Sequence, residues 1–157
     1  MNKDKFIKKE EFKEKVLDLR RVTRVVAGGK RFSFRATVVI GDENGRVGVG
    51  VASGIDLNQA ISKAKAAAKK DIVHLELKDN RTIPHEVEAK YSAARVIIKP
   101  AKKGNGLKAG SAIRSVLALA GVKDASAKAL GRTPNKLTNA LAALKALKKL
   151  KVGIKNQ

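Results

Sequence analysis

The sequence predicts an α+β fold built as two small units, and three patterns carry that expectation. Residues Arg31–Ile40 and Arg46–Ala52 alternate apolar and polar side chains on either side of Asn44-Gly45, the pattern of antiparallel strands joined by a tight turn. From Asp56 the apolar period lengthens to that of a helix, which closes a first unit near Asp71. A second series of extended runs follows and ends in two helical segments. The expected limits are 8–71 and 72–151, with 1–7 and 152–157 as flexible tails. Units of about 60 and 80 residues stand near the lower limit for a self-supporting core, so each is expected to lean on the other or on a partner.

In chain order, Lys8–Leu17 reads as a short charged helix, and Leu19–Val26 alternates weakly. Ala27-Gly28-Gly29-Lys30 is a loop signal. In the next strand Phe32, Phe34, Ala36, Val38 and Ile40 share a face that is expected to pack into a core, opposite Arg31, Ser33, Arg35 and Thr37. Asn44-Gly45 suits a turn in which both central residues take positive φ. Val47, Val49 and Val51 then face one way, while Gly48 and Gly50 leave the other side bare for a helix or an RNA backbone to approach closely. Asp56 with Gln59 has the spacing of a capping box, ahead of an apolar stripe of Leu57, Ala60, Ile61, Ala64 and Ala68. Lys63, Lys65, Lys69 and Lys70 lie off that stripe.

The second unit should start with strand Ile72–Leu77 and a Lys78–Arg81 turn, with extended segments at Thr82–Ala89 and Ala94–Lys99. A Gly-rich loop, Ala101–Gly110, leads to helix Ser111–Ala120, stopped by Gly121. Asp124–Leu130 is a final strand. Pro134 at the first helical position starts a helix with Leu137, Leu141, Leu144, Leu147 and Lys151 inside.

Charge gives the functional direction. Lys and Arg number 35 against 14 Asp and Glu, a net +21. The excess is concentrated: Leu19–Gly41 holds six cations and no acid, and Ala89–Gln157 holds sixteen against the single Asp124, while Asp42–Glu88 is close to neutral. A general Lys-rich solvated surface does not explain why carboxylates vanish from two particular stretches. A polyanionic partner does, with nucleic acid ahead of a membrane. Few aromatics and no Trp favour contacts to phosphate and sugar over base stacking. The absence of Cys removes thiolate catalysis and Cys-ligated zinc, and two histidines, His74 and His85, make a His-rich metal site a poor reading. No stretch has the roughly 20 apolar residues a membrane span needs, and the N-terminus lacks a signal-peptide core. The expectation is a cytoplasmic binding protein, not an enzyme, without cofactor or metal.

The run from Gly29 through Arg31-Phe-Ser-Phe-Arg35, Gly41-Asp-Glu-Asn-Gly-Arg-Val-Gly-Val-Gly50 and Asp56-Leu-Asn-Gln-Ala-Ile61 closely resembles the signature of the S-five family of bacterial small-subunit ribosomal proteins. The likeness continues in Arg20–Gly29 upstream, and downstream in Arg95–Ala101, Gly104–Ser111, Val116–Gly121 and Ala127–Gly131. It implies a first domain like the double-stranded-RNA-binding fold, expected as α-β-β-β-α, and a second, two-layer α/β domain with a left-handed crossover. It also implies a structural constituent of the small ribosomal subunit that binds its rRNA beside the S-four and S-eight proteins. Such a protein helps hold head against body, lies on the side where mRNA enters, and influences decoding accuracy. In the family the loop matching Val22–Phe32 touches rRNA, and changes there can give spectinomycin resistance. Three departures stand out: Ala27 where a basic residue is common, and Ala89 and Ser92 where Gly is usual, which suggests a less tight turn.

The candidate site residues fall in three groups. Arg20, Arg21, Arg24, Lys30, Arg31 and Arg35 surround Gly28-Gly29, whose bare backbone lets RNA come close while the arginines clamp phosphates. Lys102, Lys103 and Lys108 lie in the Gly104–Gly110 loop, where unpaired amides leading into a helix are expected to cradle an anion. Lys136, Lys145, Lys148 and Lys149 form a weaker patch for RNA or protein. The charged far end of the first helix could imitate the phosphate-binding helix of double-stranded-RNA readers. Two other classes compete. A phosphotransferase using the Gly104–Gly110 loop lacks carboxylates for Mg²⁺, and a non-specific DNA-architectural protein would share the charge.

Overall fold

A computed structural model describes residues 12–150, so Lys151, Lys8–Glu11 and the two tails lie outside it. The first sheet has the order β1-β2-β3-β4, with β1 at Lys13–Val26, β2 at Gly29–Gly41, β3 at Arg46–Gly54 and β4 at Ile72–His74. All its neighbours are antiparallel. Helix α1, Leu57–Lys70, crosses one face. The second sheet has the order β5-β6-β8-β7, from β5 Val87–Tyr91, β6 Ala94–Pro100, β7 Leu107–Lys108 and β8 Ala125–Ala129. Helix α2, Ser111–Leu119, carries the chain from β7 to its parallel neighbour β8, and α3, Lys136–Lys148, ends the described chain.

Two early expectations change. Lys13–Leu17 is strand, not helix: Lys13–Val16 pairs with Val38–Gly41, and a bulge between Val16 and Asp18 resets the register. Ile72–His74 joins the first sheet beside β3 instead of opening the second unit, and Leu75–Leu77 is not strand.

The bare face of β3 receives α1. A Cβ on Gly48 would lie 2.4 Å from the Ala68 carbonyl oxygen, and one on Gly50 2.3 Å from that of Ala64. The helix answers with Ala60, Ala64 and Ala68, all fully buried against Ala36, Val38 and Ile40. Small residues on both sides thus bring backbone to backbone, and the occupant is the helix, not RNA. The capping-box expectation is modified: Asp56 makes no side-chain cap, and Gln59 Oε1 accepts instead from Ile55 N at 3.1 Å.

The opposite face of the first sheet is also covered. Val39, Val47, Val49 and Val73 belong to the same core as Ile83, Val96, Ile98, Ile113, Val116, Leu117, Leu144 and Leu147. The two units therefore share one core, in which α2 and α3 lie between the sheets. α3 is buried more widely than a leucine stripe implies, through Ala140, Ala142, Ala143 and Ala146 as well as Leu144 and Leu147, with Leu137 and Leu141 half-buried. It starts two residues later than expected, at Lys136, with Asn135 as N-cap accepting from Leu137 N at 3.0 Å and Pro134 just outside.

The β2–β3 turn fastens the units by hydrogen bonds. Asp42 organises it, accepting from Asn44 N at 2.9 Å, Arg46 N at 3.0 Å and Arg46 Nε at 2.6 Å. Positive φ falls on Glu43 and Gly45, not on Asn44, so this is a wider loop than the two-residue turn its Asn-Gly suggests. Glu43 N and Gly45 N donate to the Leu119 and Ala120 carbonyls, both at 3.0 Å, satisfying acceptors that the end of α2 leaves unpaired. The β5–β6 turn stays tight without Gly: Ser92 takes φ +52 in a two-residue connection.

Candidate nucleic-acid interface

β3 covers β2 only as far as Gly54, opposite Phe34. From there to the Ala27-Gly28 turn, β1 and β2 continue alone as a two-stranded arm. The turn closes because Gly29 adopts φ +138, a conformation that L side chains rarely take. At about 3.3 Å per residue the arm reaches roughly 16 Å beyond the edge of the sheet.

Register sorts the cations of the arm and of its base, where Arg35 still pairs with Ser53 of β3, onto two faces. Arg20 stands opposite Arg35 and Arg24 opposite Arg31, with Val22 and Ser33 between, so four arginines line one face. Directly opposed side chains have Cβ atoms about 5 Å apart, and like charges there are destabilising. One carboxylate moderates this: Asp18 accepts from Arg20 Nε at 2.7 Å. Arg24, Arg31 and Arg35 have no carboxylate partner among the described residues. The other face carries Arg21, Thr23, Val25, Lys30 and Phe32, with the Arg21 guanidinium 4.7 Å from the Phe32 ring centre. Phe32 is 51% exposed and Val25 74%, which overturns the core placement expected for Phe32. The alternation of β2 runs past the end of the core, and only Phe34 of the pair reaches it. A two-stranded ribbon is marginal on its own. An exposed one with opposed arginines concentrates positive charge that the described residues balance only through Asp18.

The second loop is organised differently from expectation. Gly104 N and Gly106 N both donate, at 3.0 Å, to Asp124 Oδ1, so these amides already hold an anion that the chain itself provides. Asp124 Oδ2 accepts from Arg81 Nε at 2.9 Å, and Thr82 Oγ1 donates to the Asp124 carbonyl at 2.6 Å. The loop also does not run straight into a helix, because β7 intervenes before α2. Asp124, only 2% exposed, thus fixes the turn that presents Lys102 and Lys103 to solvent beside Lys78 and Arg81, around a cleft of about 570 Å³. Its carboxylate is fully engaged, and it is the single acid of residues 89–157, which leaves the Gly104–Gly110 loop without a nearby carboxylate of that stretch to hold Mg²⁺ for a phosphotransferase.

The Arg81 hydrogen bond, then the Gly106 and Gly104 amides, hold the Asp124 carboxyl below the ordinary carboxylate value against burial, which pushes it up. The folded state thereby favours the charged form. Its contribution is complete above the ordinary value and fades as pH falls through the lowered one. Thermal stability is expected to drop below about pH 4, and Asp124→Asn should flatten that part of the melting profile. A variant with the parent's acid profile would contradict this.

The third patch is not gathered into one site. Lys136 begins α3 and Lys145 lies near its end. Lys148 Nζ bonds Asp71 at 2.8 Å and Lys149 Nζ the Glu88 carbonyl at 3.1 Å, both in half-exposed or exposed contacts. On α1, Lys65 pairs with Glu14, while Lys63, Lys69 and Lys70 remain exposed. Sequence reasoning also missed Lys90, Arg95, Lys99 and Lys128 on the second sheet. Alternation of cations in Arg95-Val-Ile-Ile-Lys99 and Ser126-Ala-Lys128 was the available signal. No group of His, Cys, Asp and Glu able to hold a metal occurs among the described residues, and no described helix is long and apolar enough to cross a membrane.

A two-sheet body with a shared core and a projecting cationic ribbon has the charge pattern of a scaffold protein for a polyanion. Comparison with known proteins makes that class specific. The description "Ribosomal protein S5, N-terminal domain" matches residues 12–76, and "Ribosomal protein S5, C-terminal domain" matches residues 89–152. "Small ribosomal subunit protein uS5c" of Cyanophora paradoxa is 49% identical over 144 residues, 92% of this chain and 85% of that one. "Small ribosomal subunit protein uS5" of Synechococcus elongatus is 48% identical over 92% of this chain and 79% of its own length. That of Thermotoga neapolitana is 44% identical over 92% and 80%. The chain belongs to the ribosomal protein S5 family, whose members are structural, non-enzymatic constituents of the small ribosomal subunit.

Proposed function

We propose that this chain binds small-subunit rRNA through the β1–β2 arm, with Arg20, Arg24, Arg31 and Arg35 neutralising phosphates on one face and Arg21 and Lys30 on the other. The observation that carries the reading is the register: two directly opposed arginine pairs, Arg24–Arg31 on the ribbon and Arg20–Arg35 at its base, with no acid from Leu19 to Gly41. Gly28 and Gly29 keep the tip free of side chains, so the backbone amides can approach RNA. Lys102 and Lys103 form a second contact, on the turn held in place by Asp124, while Lys108 stands apart from them on β7. Ala27 carries no charge, so the tip itself contributes one phosphate contact fewer than a basic residue there would.

Two attachment points on one body suit a protein that holds head against body, lies beside the S-four and S-eight proteins on the side where mRNA enters, and thereby affects decoding accuracy. The family likeness and the shared core between the units support this reading. Competition at physiological salt tests it against a DNA-architectural role: folded small-subunit rRNA should displace the chain from duplex DNA. Equal competition by both would overturn the rRNA assignment.

A further inference from the structure

The second sheet leaves one face uncovered. Val87, Ala89, Ala94, Val96, Ile98 and Ala125 point into the core that α2 and α3 share. The alternate residues, Lys90, Arg95, Lys99, Lys108, Ser126 and Lys128, are exposed on the opposite side. Register places three of these lysines around one small side chain. Ser126 on β8 stands opposite Lys99 on β6 and beside Lys108 on β7, while Lys128 lies two residues along β8, opposite Ile97. Neighbouring strands are about 4.8 Å apart, so the Lys99 and Lys108 stems flank Ser126 across roughly 10 Å. That separation lets flexible ammonium groups converge on an anion above the serine hydroxyl.

The acids nearby do not cancel this charge. Glu88 is taken by Arg95. Glu86 sits 3.3 Å from Lys99 in a half-exposed pair, worth little in solvent. Lys108 and Lys128 have no carboxylate partner among the described residues. Edge protection against strand pairing accounts for a lysine on β7, but not for one on β8, an interior strand.

We propose that Lys99, Lys108 and Lys128, set around Ser126, dock rRNA phosphates on the outer face of the second sheet, a contact separate from the arm and from the Lys102-Lys103 turn. The proposal rests on the rRNA-binding reading above. Its test is the full chain carrying Lys99→Gln, Lys108→Gln and Lys128→Gln, titrated with small-subunit rRNA over a range of salt, beside the parent and an arm variant. Loss of three phosphate contacts should shallow the log–log salt slope by about 2 to 3 and weaken binding on the order of a hundredfold near 0.1 M salt, with the melting temperature unchanged. Parental affinity and slope, alongside an arm variant that does lose binding, would overturn the proposal and mark the face as solvated or as protein-facing. If the arm variant also binds like the parent, the rRNA reading itself fails and the proposal falls with it.

Discussion

Replacing Arg24, Lys30 and Arg31 together by glutamine is expected to weaken binding to folded small-subunit rRNA on the order of a hundredfold near 0.1 M salt. The log–log salt slope should become shallower by about 2 to 3, since each phosphate contact contributes roughly 0.7 to 0.9. All three residues are exposed on the arm beyond the end of β3, and none belongs to either core. The fold should therefore survive intact. Removing the opposed Arg24–Arg31 pair also relieves like-charge repulsion across the ribbon, so the melting temperature should hold or rise while affinity falls. Binding titrations at several salt concentrations, with melting curves on the same samples, check both halves. An unchanged slope would mean that the arm does not face phosphate.

Gly50→Ala carries the largest expected effect on stability. A Cβ there would lie 2.3 Å from the Ala64 carbonyl oxygen and 2.4 Å from the Ala68 amide nitrogen, both backbone atoms of α1. No rotamer change relieves such contacts, so the helix must lift from the sheet, loosening Ala60, Ala64 and Ala68 from Ala36, Val38 and Ile40. Overpacking of this kind costs about 3 kcal/mol, or a fall of roughly 10 °C in Tm for a chain of this size. Gly28→Ala is the control: nothing lies within 4 Å of the added Cβ and its φ is not in the left-handed region, so its melting curve should match the parent's. A Gly50→Ala protein as stable as the parent would refute the close approach of α1 and β3.

Local patterns carried much of this architecture. The alternation of Arg31–Ile40 announced β2, the bare Gly48 and Gly50 face announced a close approach by helix or RNA, and the acid-free stretch from Leu19 to Gly41 covers the hairpin that projects as the arm. What failed depended on partners distant in sequence. Lys13–Leu17 is rich in helix-forming residues, yet pairing with β2 makes it strand; tertiary context overrides a weak local preference. Phe32 and Phe34 share a period, and only the end of β3 at Gly54 decides that one is exposed and the other packed. The Gly104–Gly110 loop looked like an empty anion cradle because Asp124, 20 residues beyond Gly104, gives no local sign that it will fill it. The acceptors of Lys148 and Lys149, Asp71 and the Glu88 carbonyl, lie 77 and 61 residues away and give no local sign in the sequence.

Residue-resolved crosslinking of this chain inside assembled small subunits probes most directly whether the unopposed arginines meet rRNA. Crosslinks to RNA should concentrate on residues 20–35, above all at Arg24, Lys30 and Arg31. Particles that incorporate the protein yet yield no RNA crosslink on the arm would contradict that assignment.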